Sequence, residues 1–300
     1  MATYQIMTDS SSDLTKELRQ QYNIDFFRFG IVVDGEKQLP ADLNWEEYTP
    51  EEFYGWLAAG KKIKTNQLSL EEAITRMTPY LEQGLDIIYL CCSGQLTGSL
   101  NMFRLASEEL KEKYPDRKFI GVDSLSASMG LGMMSIDAAK KRDEGLTIEE
   151  LQEWVESHKL YYNYFCTVDT LKYLKAAGRI KGAAAFFGDI IGVKPIFISD
   201  KLGNNLTIKK VKGTKNANNE LFEGLKATLM KEHCDRVYVG QSCAIERAEE
   251  LKNRIETELG VAADIFYIGP IIGTTCGPKM LAVFCRGKEV TRFEGDGIVE

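Results

Sequence analysis

The strongest constraint in this chain is an alternation. From Tyr4 to about residue 123, short apolar runs of strand character are separated by loops rich in Ser, Thr and Gly and then by helical patterns, the order of a parallel sheet covered by helices on both faces. Tyr4 to Met7 reads as a strand, followed by Thr8-Asp9-Ser10-Ser11-Ser12-Asp13 and a helix to about Tyr22. Phe26 to Val33, Asp34-Gly35 and Glu36 to Leu39 read as a hairpin, because Asp-Gly accepts the positive φ of a tight turn. Ser69-Leu70-Glu71-Glu72 is a capping box opening a helix that closes near Gly84. The strand Asp86 to Leu90, a loop, a helix from about Ser99 to Tyr114 and the strand Phe119 to Val122 follow.

Helices then run from about Ala127 to Gly145 and, after the capping box Thr147-Ile148-Glu149-Glu150, to His158. Past that point Tyr161-Tyr162-Asn163-Tyr164-Phe165-Cys166-Thr167-Val168 is dense in β-formers, which puts a domain boundary near residue 158. The later strands (Pro195 to Ser199, Leu206 to Val211, Arg236 to Gln241, Ile265 to Ile268, Met280 to Cys285) are separated by the hairpin signal Leu202-Gly203-Asn204-Asn205 and by two long helices. The expectation is an α/β protein of two domains. Residues 1–158 form a Rossmann-like domain with a parallel sheet, and residues 159–300 an α+β domain with a mixed or antiparallel sheet. Three hundred residues with 44% apolar content are enough for two cores.

A net charge of −7 argues against broad contact with nucleic acid. The N-terminus carries no export signal and nowhere do about 18 apolar residues run together, so a cytoplasmic protein without stable membrane insertion is expected. Seven Cys without a C-x-x-C pair and only two His offer no cluster at zinc spacing. No metal or cofactor is expected, and the cysteines read as reduced core residues.

Three loops carry candidate chemistry. Ser93-Gly94-Gln95-Leu96-Thr97-Gly98-Ser99 joins a strand to a helix; it is neither a Walker A sequence nor G-x-G-x-x-G. It offers hydroxyls and N–H groups at a helix N-terminus, suited to a small oxyanion such as a carboxylate, or else a simple βα turn in which Ser99 caps its own helix. Thr65-Asn66-Gln67-Leu68-Ser69 is of similar character, and Gly269-Pro270-Ile271-Ile272-Gly273-Thr274-Thr275-Cys276-Gly277-Pro278 reads as a Gly/Pro-punctuated loop too apolar to be merely solvated. In Thr8 to Leu14, Asp9 and Asp13 would repel an anion and Ser12 reads as an N-cap. Arg179, after the helix-ending Gly178 and before the apolar run Gly182 to Val193, either snorkels to water, pairs with a buried anion or bridges to Asp189.

In combination, "TDSSSDL", "TNQLS", "SGQLTGS", "VDS" at 122–124, "LKYLKAAGRI" at 171–180, "KPIF" at 194–197 and "IIGTTCGP" at 271–278 resemble the DegV family of bacterial lipid-binding proteins. The likeness runs in the family's order over almost the whole chain. It implies two α/β domains with one long-chain, palmitate-like fatty acid in an apolar channel at their junction, and a chain that binds rather than catalyses. It also implies a carrier that presents the lipid to a separate fatty-acid kinase for phospholipid synthesis. Carried over by position, Thr65, Ser93, Thr97, Arg179, Thr274 and Thr275 surround the carboxylate, and the tail lies against Ala183 to Val193 and Met129 to Met134. Hydroxyls donate to the carboxylate and Arg179 supplies the compensating charge. The chain departs from the family pattern at Thr275, where the family commonly has His, at Gly94, and at Asn66 and Leu68. A Thr hydroxyl can donate but cannot shuttle a proton as imidazole does.

The alternative is a small-molecule enzyme, a hydrolase or transferase using the same loops. It lacks an assembled nucleophile, base and orienting group: neither His158 nor His233 lies in a motif loop, and Cys91 and Cys92 end an apolar strand. A third reading is a docking face for an acidic partner made of Lys172, Lys175, Lys181, Lys209, Lys210, Lys212 and Lys215, against an ordinary solvated edge.

Overall fold

The structure, a computed structural model, describes residues 3–179, 181 and 192–292. The chain separates into two compact units. The first holds the residues up to Glu47, Ile63–Lys159 and Gly269–Ile271, and the second holds Tyr48–Lys62, Leu160–Ile268 and the residues from Ile272 on. The sequence reading drew one boundary, near residue 158, whereas the units divide at 47/48, 62/63, 159/160, 268/269 and 271/272. The exchanges of Tyr48–Lys62 and Gly269–Ile271 have no counterpart in that reading, since no local pattern announces which core a segment joins.

In the first unit β1 (Tyr4–Asp9) leads into α1 (Lys16–Gln21), β2 (Ile24–Phe27), β3 (Gly30–Val33) and β4 (Lys37–Pro40). The expected hairpin is present between β3 and β4, turning on Asp34 and Gly35 with φ of 53° and 81°, both in the left-handed region that Asp and Gly tolerate. Phe26 and Phe27 are not part of it: they lie in β2, which pairs in parallel with β1. The helix α2 (Pro50–Ala58), in the second unit, was absent from the sequence reading, although Thr49 and Glu52 form a reciprocal capping box with Pro50 at its first position.

After α2 come β5 (Ile63–Asn66), α3 (Leu70–Glu82), β6 (Asp86–Cys91), α4 (Ser99–Lys113), β7 (Phe119–Asp123), α5 (Met129–Asp143) and α6 (Ile148–His158). Strands in the order β2-β1-β6-β7 make an all-parallel four-stranded sheet, and β4-β3-β5 make a small antiparallel one. Ile6, Met7, Ile87 and Ile88 are fully buried, as a parallel sheet covered on both faces demands. Ser69 caps α3 through the Glu72 N–H, but the Glu72 carboxylate takes the Arg28 N–H, so half the predicted box is built. The Thr147–Glu150 box opening α6 is complete.

The second unit continues with β8 (Tyr162–Thr167), α7 (Lys172–Ala177), β9 (Val193–Ser199), β10 (Asn205–Lys212), α8 (Thr214–Thr228), β11 (Arg236–Gln241), α9 (Ile245–Arg254), β12 (Ala262–Tyr267), α10 (Pro270–Cys276) and β13 (Leu281–Arg286), of which Pro270 and Ile271 group with the first unit. Six strands in the order β10-β9-β8-β13-β11-β12 form a mixed sheet, antiparallel throughout except for β11 with β12. That one parallel pair is joined through α9, the crossover that parallel neighbours require. The segment expected to be a loop at Gly269 to Pro278 is instead a short helix. Pro270 sits at its first position, where a missing N–H costs nothing, and Gly277, with φ of 76°, ends it by donating its N–H to the Gly273 carbonyl at 2.7 Å. The Gly and Pro that suggested a loop are its start and stop signals.

Candidate functional site

The candidate site of the first unit follows from strand order. The chain leaves β1 to β2 on one side, while β6 and then β7 lie on the other. The carboxyl ends of β1 and β6 therefore flank a topological switch point, where open α/β sheets leave a crevice for ligands. The loops that emerge there are residues 10–15, 92–98 and 124–128; of the three candidate loops read from the sequence, the one at Ser93 to Ser99 is among them.

Two of the three hydroxyl-rich loops meet. Gln67 Oε1 accepts the Gly98 N–H at 3.0 Å, and Ser99 Oγ accepts the Leu68 N–H at 3.2 Å while sharing a hydrogen bond of 2.7 Å with Thr97 Oγ1. Ser99 thus bridges the loops instead of capping α4, whose cap is Gly98 with no side-chain bond. Ser93 is fully buried; its Oγ accepts the Gln95 N–H at 3.2 Å and its N–H donates to Ser126 O at 2.9 Å. Thr65 lies in β5, paired with Ile31, and is exposed. At Gly94 a Cβ would stand 2.7 Å from Asp123 Oδ2, the atom that accepts the Gly94 N–H at 3.1 Å, so a larger residue here would have to displace that carboxylate.

The loop after β1 is a scaffold, in line with the structural reading of its sequence, but it is built on its two carboxyl groups. Asp9 is completely buried and accepts from Tyr89 Oη (2.7 Å), Cys92 N (3.0 Å) and Ser11 N (2.7 Å). Burial raises its pKa even against those three donors. Asp13, at φ of 54°, accepts from Ser128 Oγ and, at 3.0 Å, from Gly269 N; burial pushes its pKa up to about 7. The loops after β1 and β7 and the segment entering α10 therefore meet at the Asp13 carboxyl group. Ser12 is not the predicted N-cap: Thr15 caps α1 through the Leu18 N–H. Ser126, also buried, has an Oγ without a hydrogen-bond partner.

Arg179, Thr274 and Thr275 belong to the second unit. Arg179 follows Gly178, whose left-handed φ of 63° ends α7; its side chain is exposed and donates to Ala177 O at 2.9 Å, a guanidinium closing a helix C-terminus. The proposed partner Asp189 lies outside the described residues, as does most of the tail segment 183–193. Thr274 and Thr275 are half-buried in α10. In α5, Met129, Leu131 and Met134 are buried in the first unit's core, and a Cβ on Gly132 would lie 2.8 Å from Ser12 O.

The histidines and the strand-end cysteines are held by local contacts. His158 stacks on Trp154 with its Nδ1 on the Trp154 carbonyl at 2.8 Å, and His233 sits in a short 3-10 turn. The Cys91 and Cys92 thiols are pushed well up by burial, which disfavours the nucleophilic thiolate. Among the described residues no group of His, Cys, Asp and Glu is placed to hold a metal ion, and no helix is long and apolar enough to cross a membrane.

The fold is a two-unit α/β one, with buried hydroxyls and backbone donors collected at the carboxyl edge of its parallel sheet, a donor set chemically suited to an anion. The chain belongs to the DegV family, described as "Uncharacterised protein, DegV family", which it matches over residues 3–288. A DegV domain-containing protein of Clostridium perfringens is 32% identical to it over 96% of this chain and 98% of its own. Among solved structures, a protein of Thermus thermophilus described as a fatty-acid-binding DegV family protein is 26% identical, with a TM-score of 0.83, over 95% of this chain and 100% of its own. A DegV lipid-binding protein of Thermotoga maritima is 25% identical, with a TM-score of 0.82, over 96% and 100%.

Proposed function

We propose that this protein binds one long-chain fatty acid, palmitate-like in length, and acts as a non-catalytic cytoplasmic carrier that presents it to a fatty-acid kinase. The observation that carries the reading is the whole-length likeness to proteins described as binding fatty acids or lipid. The hydroxyls and N–H groups at the switch point suit a carboxylate, because an anion leaving water must recover its hydrogen bonds. In this reading Thr65, Ser93, Thr97, Thr274 and Thr275 donate to it, Arg179 supplies the charge, and the tail occupies an apolar channel between domains 1–158 and 159–300. Burying roughly a dozen methylenes at about 0.8 kcal/mol each favours the complex by several kcal/mol after ordering costs.

Native mass spectrometry of the freshly purified protein, followed by organic extraction, tests the binding. A stoichiometric fatty acid is the expected result; an empty protein that also ignores added fatty acids would reduce the family likeness to fold alone. The carrier role is tested separately, by supplying the loaded protein to a fatty-acid kinase with ATP and looking for acyl-phosphate; loading without transfer would leave binding and remove presentation.

A further inference from the structure

Between α8 and α9 of the second unit lies a cleft of about 440 Å³ lined in part by Lys215, Asn218, Asn219, Arg247, Glu250 and Arg254. Its polar groups are sorted in one direction. Arg247 donates from Nε and Nη2 to Asn218 Oδ1 (3.3 and 2.7 Å) and from Nη1 to Lys279 O (3.0 Å). Arg254 donates from Nη1 to Asn219 Oδ1 at 2.9 Å. Both asparagines thus have their oxygens committed to an arginine, which leaves N–H groups as what they can offer a ligand.

The two guanidiniums differ in charge balance. Arg254 is compensated by Glu223 (3.3 Å) and Glu258 (2.7 Å) and stacks on Phe222 at 3.6 Å, so it is a wall of the cleft. Arg247 is half-buried and, like Lys215, makes no ion pair among the described residues; the charges of Asp169 and Glu250 act on it from farther away. Three of its five N–H groups are used, which leaves one on each Nη, the pair that grips an oxyanion bidentately. Glu250 is the acidic group in the lining.

We propose that this cleft is an anion site for a phosphate group, gripped by Arg247 with Lys215 and the amide groups of Asn218 and Asn219. A phosphate matches the donor set because it is doubly charged near neutral pH and accepts on three oxygens at once. The phosphate comes from a soluble phosphate ester or from an acidic lipid headgroup, and the two sources are separable by experiment.

Inorganic phosphate is titrated into the full chain by calorimetry at constant ionic strength, with chloride as the balancing salt. Saturable binding is expected, weakened at least tenfold in Arg247→Gln and in Lys215→Gln, while the fatty acid extracted from either variant equals that of the parent. Lys215 is exposed, so its variant stays informative if the Arg247 variant misfolds. Cosedimentation with phosphatidic acid vesicles, lost in Lys215→Gln, assigns the headgroup source; phosphate binding without vesicle binding assigns the soluble one. No saturable phosphate binding, or equal binding in parent and both variants, overturns the site.

Discussion

At the residue scale two predictions separate charge from hydroxyl and buried acid from exposed base. Arg179 is the one cation among the six residues assigned to the fatty-acid carboxylate, so Arg179→Ala should weaken fatty-acid binding more than Thr275→Ala, which removes one neutral donor. Equal or reversed losses in a fatty-acid titration would strip Arg179 of that role. Asp13 sets a pH dependence. Its pKa rises from 3.8 to about 7 on folding, so the folded state holds a proton that the unfolded chain has released. The stability it contributes is full below about pH 4 and is lost as pH rises toward 7. At about 1.4 kcal/mol per unit the effect is on the order of 4 kcal/mol. Asp13→Asn cannot ionise, so between pH 5 and pH 8 its stability in urea should fall less than the parent's; parallel slopes would show that Asp13 is ionised throughout.

At the element scale the legible features are those written within one turn of chain. The complete box at Thr147 and Glu150, the Asp34-Gly35 turn and the left-handed Gly178 are contacts between residues a few positions apart, so residue type alone announces them. The helix α10 was misread because Pro and Gly are signals for loops and for helix ends alike, and only the hydrogen bond from Gly277 to Gly273 separates the two. Gly277 is constrained twice, by its φ of 76° and by the Tyr173 ring, which an added Cβ would meet at 2.2 Å. Gly277→Ala should therefore destabilise the protein by about 1–3 kcal/mol or more in chemical denaturation. A change under about 0.5 kcal/mol would mean that Tyr173 moves aside freely.

At the scale of the whole molecule a ligand that binds the folded chain and not the unfolded one raises stability by mass action. Added long-chain fatty acid should raise the melting temperature of delipidated protein with the logarithm of its concentration, and octanoate much less, since fewer methylenes are buried. An unchanged melting temperature across chain lengths would contradict the proposed function.

What the sequence by itself determined is the kind of most elements, α2, β5 and α10 excepted, and the parallel character of the first sheet. Apolar periodicity, caps and turns are local, and the alternation of strand and helix leaves a parallel sheet as the one common solution. Tertiary structure decided which loops meet. Gln67 reaches Gly98 and Asp13 reaches Gly269 across 31 and 256 positions of chain, and Tyr48–Lys62 joins the second unit. It also turned Asp9 and Asp13 from groups that would repel an anion into buried acceptors that hold the loops together. Those outcomes depend on strand order and on burial, which set the cost of an unpaired charge, and neither quantity is carried by any short stretch of sequence.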